Sequence, residues 1–478
     1  MQRVRSLFPI ALMLLCVMIP VFRAHAKQDI PSPSPISQGM AKSAPTPQNQ
    51  EKPFASKNNY WDSLKEIERE TGKKSSHSLY FRLKYKCKQG EEDQILRYCH
   101  FALANPVDDK GATTTALLHA ISINRESLEL LKKGAQLNNP VLLPFLGGDT
   151  PVPNWRSIYS LSLLKLFEAK YSASKKLKGE NRDTESLMEE AFSGLEVLDL
   201  GGHHMCDNAT LIHYLIGNGI RSNAADFLIE LVEQDRSFTL DRNEIIYRIV
   251  NHEAKRNPLI KGWSDDLRLV RNLCVQTYGK MIPPNPPPDV VNFLRRKLAE
   301  LRDVKPESLS KTEVLESFST QTLSLYMNEY IRLGENFAAL QPLEREAKTE
   351  EFGEQCARLT PRRHPLLQDI AIPELVTPLR MEQTVTTKLR LIVTTLAIQE
   401  CVVNKRATVP LQSVKTLALE KSWAMDPYTE EGIAWEYIPP NRMILKPYAP
   451  SWFFEFDNVY GLKQKLHIAF HLPQEKVR

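Results

Sequence analysis

From Trp61 to Val403 the apolar residues of this chain recur at helical spacing, and that periodicity leaves few folds open. In "WRSIYSLSLLKLFEAKYSASKKL" Ile158, Leu161, Leu164 and Phe167 form one stripe. In "ATLIHYLIGNGIRSNAADFLIELV" Leu211, Leu215, Phe227 and Leu231 form another. Stripes of this kind are the buried faces of amphipathic helices, each of which needs a partner face. "TTALLHAISI" and "RESLELLKKG" read as a helix pair closed by Gly134, and "YWDSLKEIERETG" as a helix stopped at Gly72. "ESLMEEAFSGLEVLDLGG" reads as a helix stopped at Gly201-Gly202. Further helices are expected over 242–253, 265–278, 289–302, 311–332 and 411–419.

Two proline-rich stretches interrupt the pattern. "IPPNPPPDV" (282–290) excludes both helix and sheet, since proline lacks the donor and fixes φ. "RHPLLQDIAIPELVTPLR" (363–380) is the second break. After it "TTKLRLIVTTLAIQECVVNK" places Leu389, Ile392 and Leu396 on one face of a long helix. Then the period changes from helical to alternating. Ile433, Trp435 and Tyr437 alternate as a half-buried strand requires, Pro439-Pro440-Asn441 turns the chain, and "RMILKPY" returns. "WFFEF" and "LKQKLHIAFHL" supply further strands, the latter with Leu466, Ile468 and Phe470 on one side. Trp435 and Tyr437 are expected to be buried together against Leu389, Ile392 or Leu396, so that the sheet covers the long helix. The fold class is therefore mainly α: a multi-helix array or bundle with a small C-terminal α+β module, a long helix plus short antiparallel strands.

The N-terminus is of another kind. Arg3 and Arg5 precede the apolar run from Leu7 to Phe22, and Ala24-His25-Ala26 is an A-x-A site, the layout of a secretory signal peptide cleaved after Ala26. If it is retained, the same segment is a membrane anchor. Residues 27–58 are rich in Pro, Ser and Gln and poor in large apolar residues, the composition of a disordered tether. The expected segmentation is 1–26 signal, 27–58 linker, 59–281 helical domain, 282–380 second helical region and 381–478 α+β module.

Charge narrows the partners. The 62 Lys and Arg include Arg3, Arg5 and Arg23 of the signal, and without them 59 bases face 57 acids. The basic footprint of a nucleic-acid binder is missing, so nucleic acid is not an expected partner. A protein or envelope partner is expected, and a membrane only if the signal stays as an anchor.

Few residues point to chemistry. His203, His204, Cys206 and Asp207, with His213 following, are the densest group of ligand types. Adjacent histidines point apart, and Asp207 or Asn208 suits the N-cap of a helix starting near Ala209, so the metal reading stands beside a capping one. His252-Glu253 lacks the second histidine of a zincin, since position 256 is Arg. No Gly-x-Ser-x-Gly elbow and no phosphate-cradling glycine loop occur. No cofactor is expected. Six cysteines follow the signal: Cys87, Cys99, Cys206, Cys274, Cys356 and Cys401. Cys87 and Cys99 flank Gly90. If that glycine breaks a helix so that the next folds back, the two come within disulfide reach; otherwise they are buried thiols.

The segment "LRLIVTTLAIQECVVNKRATVP…LALEKSWAMDPYTEEGIAWEY" resembles the globular part of the major pseudopilins of type II secretion. That family runs from a helix through a loop to an Asp-Pro-[Trp/Phe]-x-Gly turn and a hairpin. Arg406 to Pro410 stands at the loop, and Asp426-Pro427-Tyr428 with Gly432 at the turn. The prepilin N-terminal helix and the acidic calcium-binding end are absent, so the chain is not itself a pseudopilin. "EEAFSGLEVLDLGGHHMCDNATLIHYLIGNGIRSNAADFL", with Thr210-Leu211-Ile212, is similar to the mid-chain helix pair of uncharacterised exported helical proteins of the planctomycete and verrucomicrobial lineage. "TALLHAISINRESLELLKKGAQLN" resembles one degenerate ankyrin repeat, without a second copy. The resemblances are nearly silent on activity; the signal layout and the lack of a catalytic motif lead to the expectation of an exported cell-envelope protein, a non-enzymatic binding or structural component. The alternatives are a divergent exported hydrolase and an accessory of a secretion or pilus-like system.

Overall fold

The computed structural model describes residues 83, 85–87, 91–137, 155–179, 186–205, 211–256, 258–281, 286–358, 375–403, 423, 425–429, 431–439, 441–448 and 466–472. The expected signal, tether, 61–72 and 411–419 helices and "WFFEF" strand lie outside them. The described residues are mainly helical, with a three-stranded antiparallel sheet near the C-terminus. None of their helices is long and apolar enough to cross a membrane.

The helices follow the apolar stripes. Glu92–Ala104 (α1), Ala112–Ile123 (α2) and Arg125–Ala135 (α3) precede Trp155–Lys178 (α4) and Met188–Asp199 (α5). Ile158, Leu161, Leu164 and Phe167, the stripe read in the sequence, are fully buried on α4. Leu211–Gln234 (α6), Arg242–Lys255 (α7), Leu259–Met281 (α8) and Pro288–Arg302 (α9) follow. Asp241 caps α7 by accepting from the Glu244 N–H (3.1 Å). Pro288 opens α9 at a position where the missing N–H costs nothing.

The single helix expected over 311–332 is two helices, Lys311–Ser317 (α10) and Thr320–Ala338 (α11). Ser319 separates them, because its hydroxyl accepts from the Thr322 N–H (3.0 Å) and so starts a new helix inside a continuous apolar pattern. Pro342–Ala347 (α12) and Thr349–Arg358 (α13) lead to Val376–Val403 (α14), which is buried on nearly every side. It packs on α6 and α7 and beneath the sheet.

The strands are Ala434–Ile438 (β1), Arg442–Lys446 (β2) and Ile468–His471 (β3), in the order β1-β2-β3. Register pairs Trp435 with Leu445, Tyr437 with Met443, Leu445 with Ile468 and Met443 with Phe470. One inner face therefore carries all of these side chains. It packs on the core that holds Leu389, Ile392 and Leu396, so the sheet does cover the long helix. The deep contacts are Met443, Leu445, Ile468 and Phe470, which are fully buried, whereas Trp435 and Tyr437 are half-buried. Trp435 and Tyr437 lie on an outer strand, while β2 sits in the middle of the sheet. Polar ties fix the sheet: the Ala469 N–H donates to Glu233 of α6 (2.8 Å), and Gln399 of α14 donates to the His471 carbonyl (3.2 Å). Asp426, in the Asp-Pro turn, is buried and accepts from the backbone N–H groups of Tyr428 and Tyr448, joining the turn to the end of β2. Replacing Phe470 by Ala is expected to cost about 3–5 kcal/mol. Trp435→Ala is expected to cost only about 1–2 kcal/mol, since less apolar area leaves water there. Equal losses in thermal melting would contradict this division of the sheet.

Two apolar cores result. The first gathers α1 to α5, most of α6, α7, the C-terminal part of α14 and the sheet. The second gathers the start of α6, then α8, α9, α10, α11 and the N-terminal end of α14, around Trp263, Leu323 and Met327. Gly334 of α11 faces the Trp263 ring, where a methyl group would lie 2.3 Å from the ring edge. Two helices, α6 and α14, run through both cores.

Cys87 and Cys99, the expected disulfide pair, are both free thiols. Residues 85–87 are not helical, so the helix that was to break at Gly90 is not formed there. Cys99 is buried within α1, and burial pushes its thiol up to about 12.

Candidate functional site

Where α6 and α14 pass from one core to the other, the packing is polar. On α6, Tyr214, Asn218 and Arg221 recur at i, i+4 and i+7 and so share one face. All three are fully buried. His252 and Glu253 of α7, and Arg256 just past its end, face them. Asp199 ends α5, and Glu382 lies near the start of α14.

The Arg221 guanidinium is the hub. It donates to Asn218 Oδ1 (2.7 Å), His252 Nε2 (3.2 Å) and Glu253 Oε1. On the other side of the imidazole, Nδ1 meets Asp199 Oδ1 at 3.1 Å. Arg248 donates to the same carboxylate at 3.2 Å. Arg256 lies between Glu253 and Glu382, and it also donates to the Tyr214 hydroxyl, which in turn donates to Glu382 (2.5 Å). The Leu259 N–H adds a bond to Glu382 (3.3 Å). Asp199, Glu253 and Glu382 are matched by Arg221, Arg248 and Arg256, so the cluster is neutral when His252 is neutral.

Burial pushes the His252 imidazole below its ordinary range, and the Asp199 hydrogen bond only partly opposes this. A neutral ring in this setting carries its proton on Nδ1 toward Asp199 and accepts from Arg221 on Nε2. Burial alone would raise Glu253, but the Arg221 and Arg256 guanidiniums outweigh it and hold the carboxyl at about 2. Glu382 is likewise held down, by Arg256 and Tyr214 against its burial. Groups with depressed values contribute stability that is lost as pH falls: below about 6.5 for His252, and between 4.5 and about 2 for Glu253.

The glycines at 201 and 202 do not stop α5. The chain continues from Asp199 into a π-helical turn, Leu200–His204. A methyl group on Gly202 would lie 2.0 Å from His252 Cε1, and one on Gly201 would lie 2.7 Å from the Gly217 carbonyl oxygen. Both positions are bare because α6 and the imidazole press against that backbone. A π-turn inside a helix often marks a functional position. Here the turn seats His252.

His203 and His204, expected as possible ligands, lie within this π-turn, and their side chains are outside the described residues, as are Cys206 and Asp207. His213 is buried on α6 and burial pushes it down to about 4. Among the described residues no group of three His, Cys, Asp or Glu side chains is placed to hold a metal ion. The expected helix start near Ala209, with Asp207 or Asn208 as its N-cap, lies outside the described residues; within α6 the Leu211 N–H donates to a carboxylate of another helix, Asp266 of α8 (2.6 Å). Burial, with Asp265 adjacent, raises Asp266 to about 7 although the Leu211 N–H favours the charged form.

A raised carboxyl contributes stability below its unfolded value of 3.8 that is lost as pH rises through about 7. Asp266→Asn keeps an oxygen for the Leu211 N–H and removes the charge. It is expected to stabilise the protein by about 1–2 kcal/mol at pH 8, with the gap closing toward pH 4. Melting of the two proteins across that range checks the sign.

Asp199, Arg221, Arg256 and Glu382 were not legible as site residues. The signal available was the polar i, i+4, i+7 series on α6 within a helix otherwise read as a core stripe. No protein-family model, curated protein or solved structure matches the chain.

Proposed function

We propose that the chain is an exported component of the cell envelope that binds or braces a protein partner and carries out no chemistry of its own. The observation behind this reading is the setting of His252. Its two ring nitrogens meet Asp199 and Arg221, and its edge rests on Gly202, so its hydrogen bonds fix helices to one another. A general base needs its free nitrogen within reach of a substrate proton. The role of such a cluster is to hold helices in one arrangement, as a scaffold requires.

The Asp199–His252 contact also favours a second reading, a divergent exported hydrolase, because a carboxylate on Nδ1 is how a catalytic histidine is oriented. In the scaffold reading the group bound at Nε2 is an arginine and no nucleophile is needed.

Expression with and without residues 1–26 tests export, with fractionation of both products. The full chain is expected outside the cytoplasm and the shortened chain inside it. Crosslinking of the exported protein in its native envelope is expected to trap a protein partner. Full-length, unprocessed protein in the cytosol would overturn the proposal. So would hydrolytic turnover that His252→Gln abolishes.

A further inference from the structure

Near the Tyr214–Arg256–Glu382 end of the cluster lies a narrow cleft lined by Phe337, Arg345, Thr349, Arg380, Gln383 and Tyr428. Two guanidiniums face it, and the carboxylates nearest Arg345 are Glu346 and Glu382. Both are already engaged. Glu346 receives Arg380 through two hydrogen bonds (3.2 and 2.7 Å), the fork-to-fork form of the pair. Glu382 receives Arg256, Tyr214 and the Leu259 N–H. Among the described residues Arg345 has no ion pair, and its Nε is buried without a hydrogen-bond partner. Among the described residues the site therefore carries one cation in excess.

A half-buried guanidinium without a hydrogen-bonded counter-charge is costly, because water is withdrawn from it and the lost hydrogen bonds are not replaced. Burial lowers the Arg345 value for that reason. The cleft is narrow, with room for about one water-sized group. Arg345 presents the planar donor fork that a carboxylate matches. We propose that this cleft is a carboxylate-binding site with Arg345 as its anchor. The carboxylate belongs to a free small acid or to an acidic side chain of a partner peptide.

The test uses purified full-length protein at constant pH and ionic strength, titrated with acetate or with a blocked peptide bearing one glutamate, against chloride as control. Wild type is expected to broaden the signal of ¹³C-labelled acetate saturably, with competition by formate and none by chloride. Arg345→Gln is expected to weaken acetate binding about tenfold or more, and Arg345→Lys less, since it keeps the charge but loses the fork. Peptide binding at least as tight as acetate assigns the site to a partner side chain; acetate alone assigns it to a free acid. No saturable effect on wild type, or equal effects of acetate and chloride, would overturn the proposal. So would an Arg345→Gln variant that binds acetate like wild type. The labelled-acetate measurement on wild type decides the matter even if the variants fail to fold.

Discussion

Gly202→Ala is expected to destabilise the protein by about 3 kcal/mol, the upper end of the usual cost of overpacking. The methyl group would stand 2.0 Å from His252 Cε1 and 2.7 Å from Nε2, well inside van der Waals contact distance of both atoms. The imidazole has no room to retreat, since Arg221 and Asp199 hold its two nitrogens. Either the π-turn unwinds or the Asp199–His252–Arg221 contacts part. A double-mutant comparison separates this clash from a general intolerance of alanine in the turn. If the clash is the cause, Gly202→Ala with His252→Ala should be no less stable than His252→Ala alone. Additive losses in urea unfolding would show that Gly202 matters for its backbone and not for the ring.

Arg221→Met should cost about 3–5 kcal/mol, the range for removing one member of a buried charge network. Methionine fills much of the volume, so little of the loss is a cavity. What remains is an Asn218 amide and a His252 nitrogen without their donor, and a Glu253 carboxylate left to Arg256. The pH dependence carries a sign. Glu253 lies at about 2 in the folded protein, against an ordinary 4.5. Its contribution is complete above 4.5 and is lost as pH falls toward 2. The gap between wild type and Arg221→Met should therefore be widest near neutral pH and narrow in acid. A gap that is constant between pH 7 and 3 would mean that Arg221 acts through packing alone.

The helical body was legible because α4, α6 and α14 each bury a stripe whose spacing is written in the residues. The change of period at Ile433 likewise announced the sheet. The misreadings have local causes. Gly201-Gly202 read as a helix stop because the sequence shows a glycine pair but not the ring pressed against it. Ser319 was absorbed into one long helix because its cap sits inside an unbroken apolar pattern. Trp435 and Tyr437, expected to be buried together against the long helix, are half-buried on the outer strand, and the central strand β2 and its neighbour β3 carry the fully buried side chains. The polar cluster was hidden for a different reason. Its side chains come from four helices and their ends, α5, α6, α7 and α14, between Asp199 and Glu382, and only folding brings them together. Arg221 sits in a helix that reads as core, and nothing nearby in sequence names Glu382 as part of its network.

That network lies where the two long helices cross between the apolar cores, and it is expected to make the two cores unfold as one. Hydrogen exchange of the full chain across a denaturant series tests this directly, by comparing amides of α4 in the first core with those of α11 in the second. In wild type both sets should become exchangeable in the same cooperative step. In Arg256→Gln, which frees Glu253 from Glu382, α11 should open at lower denaturant than α4. If α11 already opens well before α4 in the wild-type protein, the polar cluster does not join the cores and the account fails.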